Sequence, residues 1–319
     1  RPTHMPTSRR IFCAQAASLF LTPRLLLSQT ASTTRPDVAA IDHDRILHAA
    51  ALYLTQPPVP LTALPCTRSP GTPHDFYSEE SEDQKTDDSK PPVFTAHRDA
   101  LLNLSLYVPA LTAAFVLTHE ERYAQRAAAH LKAWFIEPAT SMTPSMAYAQ
   151  TISPAKTGRP EGVVEAVHLA EVAQSIPFLT NSEALSAADL AALQQWFAAY
   201  LDWLNTSRLA GLARDQKNHH GTSWLLQAAA CASLDAKDDR PLTILRHQFK
   251  SATLRAQILS DGTFPRELST FNPYRNSLFN LDMLAAICLL LSTRFESVWT
   301  YELQDGPGMR SAIARHYPF

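Results

Sequence analysis

Glycine is scarce in this chain, 8 residues in 319, while alanine and leucine are abundant. Glycine loses the most backbone freedom on entering a helix and alanine and leucine lose little, so the composition favours helices. Strict apolar–polar alternation, the mark of a half-buried strand, is nearly absent. Cysteine is also sparse. Of the 4 present, Cys13 lies in an N-terminal apolar stretch, and Cys66, Cys231 and Cys288 are too scattered for a disulfide framework or a metal knuckle. Cys231 and Cys288 sit within apolar helical runs and read as packing residues. An excess of positive charge is missing as well: 28 Lys and Arg stand against 30 Asp and Glu, a formal net charge of −2. That excludes nucleic-acid binding through a generally basic surface and leaves room for a local basic cleft. After residue 27 no apolar run is expected to cross a bilayer. No group of His, Cys, Asp and Glu has metal-ligand spacing, so neither a metal nor another cofactor is expected.

Helical periodicity is what the chain does have, in a sequence that is 45% apolar. The pattern predicts helices over 37–55, 97–117, 120–135, 162–179, 186–205, 220–234, 241–259, 277–292 and 308–316. Ser186 with Asp189 three residues on, and Pro241, are suitable helix starts. Consecutive pairs with short or moderate loops suit antiparallel hairpins arranged in a ring, an all-α toroid or incomplete α/α barrel. A plain helix bundle fits the periodicity equally well. Trp134, Trp196, Trp203 and Trp224 fall at helical spacing among apolar neighbours and read mostly as core. Two stretches, 56–96 and 137–160, are rich in proline and read as long irregular loops, the usual carriers of function when they interrupt a compact domain. Ser8-Arg9-Arg10-Ile11-Phe12, followed by an Ala/Leu-rich stretch to Leu27, resembles a twin-arginine export signal. It implies a periplasmic or secreted protein, with residues 1–35 as signal and 36–319 as a single domain without stable membrane insertion.

Two segments carry most of the chemistry. Lys217-Asn218-His219-His220-Gly221-Thr222 packs two imidazoles and a carboxamide into one turn before an apolar helical run. Some forty residues later Asp261-Gly262-Thr263-Phe264-Pro265-Arg266-Glu267-Leu268 leads into Pro273-Tyr274-Arg275-Asn276-Ser277. Brought face to face, they would make a proton-transfer site.

These and other blocks resemble the alginate lyase-type polysaccharide lyases, helical toroid enzymes that cleave uronic-acid polymers. Asp75-Phe76-Tyr77-Ser78-Glu79, His97-Arg98-Asp99, Tyr148-Ala149-Gln150, His168-Leu169, the Lys217–Thr222 segment, Asp261–Leu268, Ser277–Asp282 and Trp299–Leu303 match in order and spacing from about residue 71. A lyase of this kind removes the proton at C5, beside a carboxylate, and expels the oxygen at C4. It therefore needs a base, a proton donor and groups that offset the carboxylate charge. The resemblance implies His220 as base or relay, Tyr274 as the surviving phenol, Asn218, His219 and Arg275 as binders of the carboxylate, Glu267 as the group that orients an Arg or His, and an acidic polysaccharide as partner. Around them it implies a substrate-binding set of Tyr77, His97, Arg98, Tyr148, Gln150, His168, Arg275 and Asn276.

The chain departs from the family pattern at three positions. His219 replaces an Asn, Thr270 stands where an Arg is expected, and Asn276 stands where a Tyr is expected. Tyr274 and Arg275, in a segment expected to be a loop entering a helix, are the nearest substitutes. An acidic run, Ser81 to Ser89, also replaces an aromatic-rich stretch. Three other readings stay open: an acidic-glycan binder without turnover, a helical protein-interaction scaffold, and a glycoside hydrolase pairing Glu267 with Glu161 or Glu165.

Overall fold

The structure is a computed structural model and describes residues 37–80, 92–152 and 156–317. The export-like segment and the acidic run fall outside these residues. Among the described residues helix accounts for 64% and strand for 3%, and the architecture is the α/α toroid.

The first helices are α1 (Val38–Tyr53), α2 (Ala96–Thr118) and α3 (Glu121–Phe135), with α2 packed against both its neighbours. Asp37 caps α1 by accepting from the Ala40 N–H at 3.1 Å. His119 ends α2 in the left-handed region, φ 58°, which turns the chain directly into α3. By length and mean hydropathy (1.8) α2 could cross a bilayer, contrary to the expectation that nothing after residue 27 would. It is instead a core helix, with 67% of its apolar window buried.

Next come α4 (Leu169–Ser175), α5 (Ala187–Thr206), α6 (Arg208–Arg214) and α7 (His219–Ala232). The helix expected over 162–179 is three pieces, because α4 is flanked by 3₁₀ segments at Pro160–Ala166 and Ile176–Asn181, each with a proline in its first turn. Ser186 and Asp189 form the expected capping box of α5. Every residue of α7 from Gly221 to Ala232 is buried, and α7 packs against α4, α5, α6 and two helices that follow it. It is the hub of one hydrophobic cluster that runs from Ile46 to Ala312.

The remaining helices are α8 (Arg240–Gln248), α9 (Leu254–Gln257), α10 (Pro265–Leu268), α11 (Pro273–Leu291) and α12 (Met309–His316). A π-helical turn, Phe249–Thr253, joins α8 to α9 where one unbroken helix was expected. α11 begins four residues before its predicted start, so Tyr274, Arg275 and Asn276 occupy a helical first turn rather than a loop. Pro273 at the helix start makes this possible, since its missing N–H is not needed there.

The two long loops are not wholly irregular. β1 (Tyr77–Glu79) and β2 (Tyr148–Thr151) pair in parallel, Tyr77 with Tyr148 and Glu79 with Thr151. Strands this short show no alternation to read. The register places one extra residue on β2, and Gln150 there has φ 53°. Positive φ in a non-glycine residue is a strained geometry, here held by a bulge.

Candidate active site at the start of helix α7

The first turn of α7 is fixed before any functional group is placed. Asn218 is its N-cap, and its side-chain oxygen accepts from the His220 N–H at 3.1 Å. The Asn218 carbonyl accepts from Gln257 Nε2 at 2.9 Å, and Gln257 Oε1 accepts from Asn280 Nδ2 at 3.1 Å. Gly221 lies so close to the Gln216 carbonyl that a Cβ would sit 2.1 Å from that oxygen. Only glycine lets this turn pack against the end of α6.

Glu267, on α10, is completely buried, yet both its oxygens are used by one residue of α7. Oε1 accepts from the His219 N–H at 2.5 Å and Oε2 lies 2.8 Å from His219 Nδ1. A buried carboxylate requires such partners. The contact selects the His219 tautomer with the proton on Nδ1 and fixes the ring plane. The side chain of His219 keeps 14% of its surface, and Nε2 makes no hydrogen bond among the described residues. The ring also lies 5.8 Å from Phe279 and 4.1 Å from the His220 ring, centroid to centroid.

His220 has a different environment. Its Nδ1 is buried without a hydrogen-bond partner. Burial is the main force holding its pKa down at about 3; His219 and Arg159 push the same way, and the Glu161 backbone opposes them. At neutral pH this ring is uncharged. Arg159 and Glu161 form an ion pair at 3.3 Å, and Gln216 Nε2 donates to Glu161 Oε1 at 3.2 Å.

The two replaced family positions meet in space. Asn276 Nδ2 donates to Thr270 Oγ1 at 3.0 Å, and Thr270 Oγ1 donates to the Glu267 carbonyl at 2.7 Å. An uncharged pair therefore stands where the family pattern calls for a guanidinium and a phenol. Tyr274 does not fill the gap. Two residues along a helix turn the side chain by roughly 200°, which places Tyr274 on the far side of α11 from Asn276. It is 49% exposed. Arg275 is exposed on the same turn. The phenol and guanidinium expected to substitute thus lie off the face carrying Asn276.

The 3₁₀ segment Pro160–Ala166 connects α7 to the paired strands, since Gln227 of α7 donates to the Val163 carbonyl at 3.1 Å. There Glu165, nearly buried, pairs with Arg98 and accepts from Ser78 Oγ at 2.6 Å. Ser78 Oγ in turn accepts from the Gln150 N–H at 2.8 Å. Arg98 also reaches Glu80 at 3.7 Å. Gln150 is thereby held in its strained conformation by a buried network. Tyr148 stands beside it, with a ring carbon 2.7 Å from where a Cβ on Gly71 would lie. His168 is half-buried at the N-cap position of α4.

Two residues of the expected substrate-binding set are committed to the scaffold. His97 is 3% exposed; its Nδ1 accepts from the Tyr77 N–H at 3.0 Å and its Nε2 bonds the Leu64 carbonyl at 2.9 Å. Tyr77, also 3% exposed, donates its hydroxyl to Glu79 at 2.6 Å. Burial and that carboxylate push its pKa up, away from proton transfer at neutral pH. Glu79 is forked by Arg68 and held down at about 2. Sequence reading missed Ser78 and Gln257 as members of these networks, because their partners Glu165 and Asn218 lie 87 and 39 residues away along the chain and no local spacing marks them. It also missed Arg159, which pairs with its near neighbour Glu161.

A ring of helices with an oriented histidine pair at one helix start defines the class of protein. The chain belongs to the alginate lyase family, whose profile matches residues 61–319. Among solved structures it is similar to an alginate lyase from Bacteroides ovatus, with 26% identity and a TM-score of 0.79 over 88% of this chain and 77% of that one. It shares its fold with alginate lyase A1-III from Sphingomonas species A1, at 12% identity and a TM-score of 0.56 over 86% and 76%. No protein with a curated description matches.

Proposed function

We propose that the chain is a polysaccharide lyase that cleaves a uronic-acid-containing, alginate- or glucuronan-like glycan by β-elimination. The observation that carries this reading is the His219–Glu267 pair beside His220 at the start of α7. It supplies an oriented imidazole in the turn that matches the family's catalytic block. The Asn218 side chain, whose oxygen caps α7, has an amide nitrogen that could donate to the substrate carboxylate. Arg98, Gln150, Tyr148, His168 and Arg275 are the remaining candidates for the glycan, while His97 and Tyr77 act indirectly by holding β1 and α2 in place. Export through the arginine-paired N-terminal segment would bring such an enzyme to its polymer.

The test is a panel of uronans offered to the purified protein, following the ultraviolet absorbance of the unsaturated product. Activity on at least one uronan is expected, and none on any, from a folded protein, would overturn the reading. The Thr270–Asn276 hydrogen bond favours a second reading, an acidic-glycan binder that no longer turns over. That reading expects uronan affinity with no unsaturated product.

A further inference from the structure

We propose that His219, the residue this chain carries in place of the family's Asn, is the group that takes the substrate proton, and that His220 beside it works as a neutral ring. The proposal rests on the lyase reading and assigns roles within that site.

The two rings are 4.1 Å apart, but the fold treats them differently. Glu267 holds His219 by backbone and by Nδ1, which leaves Nε2 as the lone-pair nitrogen of a neutral ring. A fully buried carboxylate behind Nδ1 also offsets the charge that the ring gains when Nε2 accepts a proton. His220 has no counterpart to Glu267. Its Nδ1 is buried and unpartnered, and the ring faces the His219 ring and the guanidinium of Arg159, with the Glu161 backbone as the group that favours its charged form. A ring so placed resists becoming a cation and is a poor base at neutral pH.

In the step assigned to His219, Nε2 takes the C5 proton and the C5–H electron pair forms the C4=C5 double bond. The C4–O4 pair leaves on oxygen, which is protonated by solvent. The imidazolium then returns its proton to solvent. No oxidant, metal or second substrate is required.

His219→Asn distinguishes the roles, because asparagine is the family's own residue there and can still donate to Glu267. Loss of a general base costs about 100-fold or more in kcat, with KM within about threefold. Retention of more than about a tenth of wild-type kcat would overturn the assignment. Glu267→Gln keeps the shape and removes the charge, so the acid limb of the kcat–pH profile should move to lower pH. A uniform loss of rate at every pH, with the limb unmoved, would make Glu267 only a structural support and overturn its place in the pair. Nitrogen-detected NMR of the histidine rings gives a readout without turnover: His219 should carry its proton on Nδ1 at neutral pH, and a proton on Nε2 instead would overturn the proposal. Wild-type inactivity on every uronan would overturn the lyase reading itself, and is seen before any variant is made.

Discussion

Two buried carboxylates, Glu165 in the 3₁₀ segment Pro160–Ala166 beside the strands and Glu267 on α10 beside the start of α7, are used in opposite ways. At the strand end, Glu165 is met by the guanidinium of Arg98 and the hydroxyl of Ser78, so charge is cancelled within the scaffold. At the helix end, Glu267 is met by a backbone N–H and a titratable ring that keeps a nitrogen free of hydrogen bonds among the described residues. A carboxylate paired with arginine fixes a loop, since guanidinium does not give up its proton. A carboxylate paired with histidine leaves a group able to move one. In the proposed lyase the contrast would separate the part of the site that positions a substrate from the part that can change it.

The largest expected effect comes from breaking the helix-end pair. Glu267→Ala removes both acceptors from His219 inside a fully buried site, and should cost about 3 kcal/mol of stability together with nearly all activity. Denaturant unfolding and product absorbance check both. At the strand end, Glu165→Ala leaves Arg98 a second carboxylate, Glu80 at 3.7 Å, to hold its charge. The cost there should be only about 1 kcal/mol, with a raised KM as Gln150 loses its support. Equal effects at the two ends would remove the distinction.

A pH-dependent effect belongs to His220. Its folded pKa of about 3 lies below the ordinary 6.5, so between these values the unfolded chain binds more protons than the folded one. Stability is therefore complete above about pH 6.5 and falls as the pH drops towards 3. His220→Gln should flatten that slope in unfolding curves taken between pH 7 and 4. An unchanged slope would mean that the ring is not buried as described.

Much of this was legible in the sequence, for identifiable reasons. The helix ring follows from apolar periodicity and scarce glycine, and the Ser186–Asp189 box and Pro241 mark helix starts that the structure contains. The Lys217–Thr222 and Asp261–Leu268 segments stood out because both crowd polar groups at helix starts, and the His219–Glu267 contact does bring them together. What could not be read was which residues pair across distance. Nothing local joins Glu267 to His219 over 48 residues, or Ser78 to Glu165 over 87. The parallel strands were invisible for the same reason, being three and four residues long and paired only through tertiary structure. Tyr274 and Arg275 were expected in a loop entering a helix, whereas Pro273 before them is already the first residue of α11.

The smallest expected effect concerns that last point. If the phenol of Tyr274 exchanged protons with substrate, Tyr274→Phe would remove a general acid or base and slow kcat by about 100-fold. The helix geometry argues otherwise: Asn276 faces Thr270 and the buried neighbours of α11, while Tyr274 is turned roughly 160° away from it. Phenylalanine preserves the ring and its packing and deletes only the hydroxyl. Tyr274→Phe should therefore leave kcat within about twofold, whereas Asn276→Ala, on the inward face, should disturb KM through Thr270 and the Glu267 carbonyl. A collapse of kcat in Tyr274→Phe with normal folding would show that α11 turns or unwinds its first turn when substrate binds. The chemistry would then be shared between Tyr274 and the histidine end instead of residing at the histidine end alone.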